Sequence, residues 1–574
     1  MTTHLRRLLG AFLSCCTLAL AASPAAAQET APPPAPRPTR PKLVVVLVID
    51  QFRGDYVDKY GHQWRHGLRR LFDEGAYYTE AAYRYASTMT CAGHATIGTG
   101  ATPQIHGMIS NVWYDRGVGH DVACTDDRTV TNVTYGALPA RSGDSGAQMA
   151  TPTLADEMRA QLGPSTRVVT FSMKARAAIT LAGHRSTLSA WYDGARGFVS
   201  SPALNGPERH PFLASYLPAH PVERDANEVW TRLLPEQAYS YTDDGAGEAG
   251  TGALFPHRLS TPTGDGSIDP AFYANWQMSP FSDAFLGRMA AAAVTDMRLG
   301  RGPGTDFLAV SFSALDTVGH AYGPRSHEVQ DVLARLDLTI GHLLESLDAQ
   351  VGREHYALAL TADHGVSPIP EQMRELGLGG GVVDRKAIAT VLAASLGGSL
   401  LDSLTGSELY LSRDAASRLT TLDNRDWESL RSTLEQIPGI SRVWRTSDLL
   451  AGRYEAESDP LAHAARLSAY PNRSGDLIYI TDPYWFPYQI TATHGTPYQY
   501  DQHVPMVFLG PQFRRGRYTA TASPADVAPT LGRLVGVTLP AADGAVRADA
   551  FATPPGLPAP TATAGGAGTG HDEP

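Results

Sequence analysis

The chain has 574 residues, of which 43% are hydrophobic and 18% charged, with a formal net charge of −11. This length can bury a large core, and the acidic balance argues against nucleic acid or an anionic membrane surface as an obligate partner. Of the four cysteines, Cys15 and Cys16 lie in the amino-terminal leader, so Cys91 and Cys124 alone can support neither a disulfide framework nor a four-cysteine zinc site.

In chain order, Arg6 and Arg7 precede the apolar run from Leu8 to Ala22, and Ala25-Ala26-Ala27 offers a small-residue cleavage site before Gln28. Residues 1–27 read as a signal peptide, and the protein is expected to be exported, to the periplasm or beyond. The run falls short of the ~20 residues of a membrane helix, so no span is expected in the mature chain. Residues 28–41 form a Pro-rich linker.

Leu43 to Ile49 (LVVVLVI) is a continuous run of the kind buried on both faces of a parallel sheet, and it ends in Asp50. The pattern recurs: 167–171 runs into Lys174 and Arg176, 307–312 into Asp316 and His320, and 357–360 into Asp363 and His364. Helical periodicity lies between, over 282–298 and 327–347. Alternating strands and helices predict an α/β three-layer sandwich with a mostly parallel central sheet, and polar residues just past strand ends mark its ligand-binding edge. Two stretches break the alternation and read as inserted cap subdomains, at about 186–269 and 380–488. Residues 504–509 are expected to close the sheet and 524–535 to form a helix, within a catalytic domain spanning 42–540. Residues 553–574 read as a low-complexity, disordered tail.

Between Tyr85 and Asp115, Thr90 is followed by Cys-Ala-Gly-His94, small residues that let a helix start directly behind a hydroxyl. Helix amino-termini favour anions, which makes this a seat for phosphate. A threonine hydroxyl needs activation, by a base or a metal. Asp50, Asp316, His320, Asp363, His364 and His494 have the identity and placement of a two-metal site. Carboxylate and imidazole ligands without thiolate suit Zn²⁺, with Mn²⁺ and Fe²⁺ as alternatives. Lys174 and Arg176 add positive charge for a phosphate dianion, and Asn111 adds a neutral donor. His94 and His106 read as supporting residues.

These motifs, with His106-Gly-Met-Ile-Ser-Asn111 and Thr493-His494-Gly495, resemble the alkaline phosphatase superfamily. The likeness covers roughly 42–535 and is greatest to its exported PafA-like branch, related to the type I phosphodiesterases and nucleotide pyrophosphatases. The resemblance implies hydrolysis of small-molecule phosphate monoesters by a monomer carrying two Zn²⁺. It implies Thr90 as the nucleophile, which forms a phosphothreonine and itself counts among the metal ligands, beside a zinc held by Asp50, Asp363 and His364. A second zinc would be held by Asp316, His320 and His494, with Asn111, Lys174 and Arg176 contacting the phosphoryl oxygens. The alternative within the superfamily is a phosphodiesterase or nucleotide pyrophosphatase. Sulfatases share the architecture, but the segment after Thr90 lacks their C/S-x-P-x-R pattern. A further alternative is a zinc-stabilised phosphate-binding protein without turnover. Cys91 and Cys124 are free to pair in an oxidising compartment.

Overall fold

The structure is a computed structural model; it describes residues 40–552 apart from 141, 249–253, 262, 264–266, 398–400 and 455–457. The expected leader, nearly all of the expected linker and the expected tail lie outside the described residues.

Ten strands form the central sheet. In chain order they are β1 (Leu43–Ile49), β2 (Ala76–Tyr78), β3 (Val133–Thr134), β4 (Val168–Ser172), β5 (Leu188–Tyr192), β6 (Phe198–Ser200), β7 (Asp306–Phe312), β8 (Tyr356–Thr361), β9 (Met506–Leu509) and β10 (Gly516–Tyr518). Their spatial order is β10-β2-β9-β8-β1-β7-β4-β5-β6-β3. Strands β8, β1, β7, β4 and β5 run parallel, whereas β9 pairs antiparallel with both β8 and β2.

The seven residues of β1 explain the layering. Successive strand side chains point to opposite faces, so Leu43, Val45, Leu47 and Ile49 enter one apolar cluster and Val44, Val46 and Val48 enter another. The first cluster is closed by residues such as Leu286, Val332 and Leu336, from helices Pro280–Asp296 and His327–Gln350. The second is closed by Leu154, Met158 and Leu531, from helices Leu154–Leu162 and Val527–Val535. Both faces are therefore covered, as an all-apolar strand requires, and the expected α/β sandwich with a mostly parallel sheet is the fold found.

Two boundaries differ from the sequence reading. Residues 188–192 and 198–200, assigned there to the first insertion, are β5 and β6 of the central sheet. Leu-Ser-Ala-Trp-Tyr is buried on both faces yet has neither a β-branched run nor a two-residue alternation, so it gives no strand signal. Nor does 504–509 end the sheet, because β2 and β10 continue it past β9. Each of those two has only three residues, too short for a periodicity to show.

Residues 381–486 build a smaller body. Strands Leu401–Thr405, Glu408–Leu411, Leu477–Thr481 and Ile440–Arg445 form a separate sheet. It has its own apolar cluster, which includes Leu392, Leu411, Trp427, Leu430 and Val443. Among the described residues, no helix is long and apolar enough to cross a membrane.

Candidate active site

Strand register brings the polar residues together. Ile49 lies beside Phe312, Val48 beside Thr361, and Ser311 beside Ser172. The residues that follow β1, β8, β7 and β4 therefore emerge side by side at the carboxyl edge of the parallel strands, where α/β sheets bind ligands. Asp50 follows β1 directly, and Asp363 follows β8 after Ala362. Asp316 and His320 lie four residues apart on helix α1 (Ala314–Tyr322), which leaves β7.

Thr90 is the first residue of a buried ten-residue helix, Thr90–Thr99. Its Oγ1 lies 3.3 Å from His364 Nε2. Gly93 allows this helix to lie directly on the Asp363 backbone, since a Cβ there would overlap the Asp363 carbonyl oxygen. His94 fixes the contact from one turn along: its Nδ1 reaches the Thr90 carbonyl at 2.9 Å and Asp363 Oδ2 at 3.1 Å, and its Nε2 meets Ser311 Oγ at 2.8 Å.

Two groups of side chains place potential ligand atoms within 4.8 Å of one another: Asp50, Asp363 and His364, and Asp316, His364 and His494. His364 belongs to both, and its ring stacks on that of His494 with centroids 3.4 Å apart. His320, expected in the second group, has Nε2 3.3 Å from Asp316 Oδ1 and Nδ1 2.7 Å from the Ala492 carbonyl. The His494 Nδ1 is likewise held, 2.8 Å from the Thr88 carbonyl. A backbone carbonyl on Nδ1 fixes the tautomer with Nε2 as the free electron pair, as a metal ligand requires.

The electrostatics fit a cation pair. Burial, reinforced by the charges of Asp316 and Asp363, pushes the Asp50 carboxyl well above the usual carboxylate range. Burial acts the same way on Asp316, but Lys174 and His320 outweigh it and hold that carboxyl well below the range. His364 and His494 are both held below the ordinary imidazole range by burial, His494 further by His364 and His320. Asp50 Oδ1 is buried without a hydrogen-bond partner, its neighbour His364 Nε2 standing 3.5 Å away. Three buried carboxyl groups share the single ammonium of Lys174, while burial is outweighed at His320 by Asp316, which draws the imidazole above its ordinary range, and the donors are hard oxygens and imidazole nitrogens. These residues fit divalent metal ions.

The phosphate-binding residues expected from sequence are placed differently from one another. Lys174 is buried and its ammonium pairs with Asp50 Oδ2 at 2.5 Å and with Asp316 Oδ2, so its charge is directed into the carboxylates. Arg176 borders an open cleft of about 520 Å³ shared with Lys174, Asp316 and His320, and its buried Nε has no hydrogen-bond partner. Asn111 Oδ1 accepts the Cys91 N–H at 2.8 Å, beside Thr90, which leaves its amide nitrogen as the donor. Sequence reasoning missed Gln51, which touches two of the carboxylates; its position next to Asp50 was the one available signal.

Cys91 and Cys124 form a disulfide that ties the start of the Thr90 helix to the hairpin Val112–Asp115/His120–Ala123. The bond closes a loop with a sequence separation of 33, so the double substitution Cys91→Ala/Cys124→Ala should cost about 3–4 kcal/mol in stability. Chemical denaturation measures this directly, and a loss below about 1 kcal/mol would contradict the tether.

A hydroxyl at a helix start, backed by acidic and imidazole groups that want divalent cations, defines a metal-assisted hydrolase. The family model for type I phosphodiesterase / nucleotide pyrophosphatase matches residues 44–503, and the chain belongs to that family. It is 30% identical over 528 residues to the alkaline phosphatase PhoV of Synechococcus elongatus, covering 87% of this chain and 91% of that protein. It is also 30% identical over 515 residues to the alkaline phosphatase PafA of Elizabethkingia meningoseptica, covering 87% and 92%. The crystal structure of wild-type alkaline phosphatase PafA aligns with a TM-score of 0.80 at 27% identity, over 89% of this chain and 99% of that one.

Proposed function

We propose that this chain is an exported alkaline phosphatase that hydrolyses small-molecule phosphate monoesters through a phosphothreonine on Thr90, with two Zn²⁺ in the site. The observation that carries the reading is the Thr90 hydroxyl, buried at a helix amino-terminus and 3.3 Å from His364, the residue common to both ligand groups. Asp50, Asp363 and His364 would hold one ion next to the Thr90 hydroxyl, and Asp316, His320 and His494 the other. Bound there, the ions would lower the pKa of the hydroxyl and neutralise charge on the phosphoryl group.

The protein's own residues do the rest. The helix amino-terminus draws the anionic phosphoryl group to Thr90. Thr90 Oγ1 forms a bond to phosphorus as the bond to the ester oxygen breaks, and the hydroxyl proton passes through solvent to the leaving alcohol. Water then attacks phosphorus as the bond to Thr90 breaks, a proton from that water returns through solvent to Thr90 Oγ1, and inorganic phosphate departs. Asn111, through its amide nitrogen, and Arg176, through its guanidinium, would hold non-bridging oxygens. Lys174 keeps the carboxylates in place and adds positive charge beneath the phosphoryl group. The leader pattern supports export, and the chain is expected to act as a monomer.

A second reading is hydrolysis of phosphodiesters or nucleotide pyrophosphates, the activities in the family's description. A small pocket of about 50 Å³, lined in part by Met89, Trp485, Phe486, Tyr488 and His494, is where a second ester substituent would enter. Arg176→Ala separates the readings. A monoester carries the extra negative charge that Arg176 would meet, so the substitution should lower monoester kcat/KM roughly 10- to 100-fold and diester kcat/KM far less. Equal losses on both substrates would favour the diesterase.

A further inference from the structure

Gln51 follows Asp50 and is buried, 1% exposed, with φ 70°. That left-handed backbone conformation is uncommon for a residue with a long side chain and needs a compensating interaction. Here it turns the Gln51 N–H out of the strand direction and onto Asp363 Oδ1 at 3.1 Å. The side chain reaches the other way, its Nε2 donating to Asp316 Oδ1 at 2.9 Å. A carboxylate only accepts, which fixes the nitrogen of the amide on that side. Gly319, on the next turn of the helix that carries Asp316, makes the room: a Cβ there would overlap Gln51 Oε1. One residue is thus joined covalently to Asp50 and by hydrogen bonds to Asp363 and Asp316, one carboxylate from each expected ligand group.

We propose that Gln51 is a positioning residue for the metal pair. Its two donors set the orientation of Asp363 and Asp316 relative to each other and so set the spacing of the two ions. Hydrogen bonds to metal ligands from surrounding residues typically contribute a factor of ~10–100 in metal affinity. A neutral donor suits the role because it orients a carboxylate without cancelling the charge that attracts the cation. The inference rests on the two-ion reading proposed above.

The test uses the full chain with Gln51→Met, which keeps side-chain length and removes the donor, and Gly319→Ala, which displaces the amide. Metal-free protein is titrated with Zn²⁺ against a competing chelator, and the absorption spectrum is recorded after loading with Co²⁺. Thermal unfolding of the metal-free forms checks the fold. Gln51→Met should bind at least one ion ~10-fold or more weakly with an altered Co²⁺ spectrum, while the metal-free fold stays as stable as the parent's. If Gly319→Ala folds, it should show the same change. Two ions bound by the parent and by Gln51→Met with equal affinity and the same spectrum would overturn the role of Gln51. A parent chain that binds fewer than two ions would instead overturn the two-ion reading itself.

Discussion

Thr90→Ala should abolish turnover, with kcat/KM for a phosphate monoester falling roughly 10³-fold or more while the metal complement stays intact. The substitution removes the hydroxyl and one methyl group from a buried position at the start of a helix, beside His364, and alanine is the best helix former, so the local fold should hold. Thr90→Ser keeps the hydroxyl and should keep a substantial share of the rate. Incubation with substrate followed by acid quench should leave phosphate on the parent chain and none on Thr90→Ala. Full activity in Thr90→Ala would remove the nucleophile from the mechanism, and loss of metal together with activity would recast Thr90 as a structural residue.

Asp363→Asn should be nearly as damaging for a different reason. Asp363 is fully buried and touches most parts of the site: Gln51 donates to Oδ1, and Oδ2 lies 3.1 Å from His94 and 3.3 Å from His364. Burial opposes its ionisation, but His364 and His94 outweigh it and hold the carboxyl below the usual range, so its charge is built into the site. The amide keeps the shape but removes that charge and replaces one oxygen with a donor nitrogen. Turnover should fall roughly 10³-fold or more, and bound divalent metal, measured by elemental analysis after dialysis, should drop with it. A normal metal complement with normal turnover would show that Asp363 is not a ligand.

The parts of this site that the sequence made legible are those that sit on strong strands. The run 43–49 is continuous because both faces are buried, and an acid at its end stands out against it. The same contrast exposed Asp316 after 307–312 and Asp363 after 357–360, and the small residues behind Thr90 marked a close helix approach that Gly93 makes onto Asp363. What stayed hidden depends on contacts across long separations. Gln51 carries no motif, and its significance lies in side chains 265 and 312 positions away. Lys174 read as a phosphate contact because its charge was visible, while the carboxylates that take that charge come from other strands. Strands β5 and β6 escaped notice because short segments of small and aromatic residues carry no period.

The most direct measurement is hydrolysis of p-nitrophenyl phosphate and bis-p-nitrophenyl phosphate in parallel by the purified mature protein, from neutral to alkaline pH, with zinc supplied and with chelator. Monoester turnover should exceed diester turnover, vanish with chelator and return with zinc. Diester preference, or monoester turnover that survives complete removal of metal, would contradict a two-zinc monoesterase acting through Thr90.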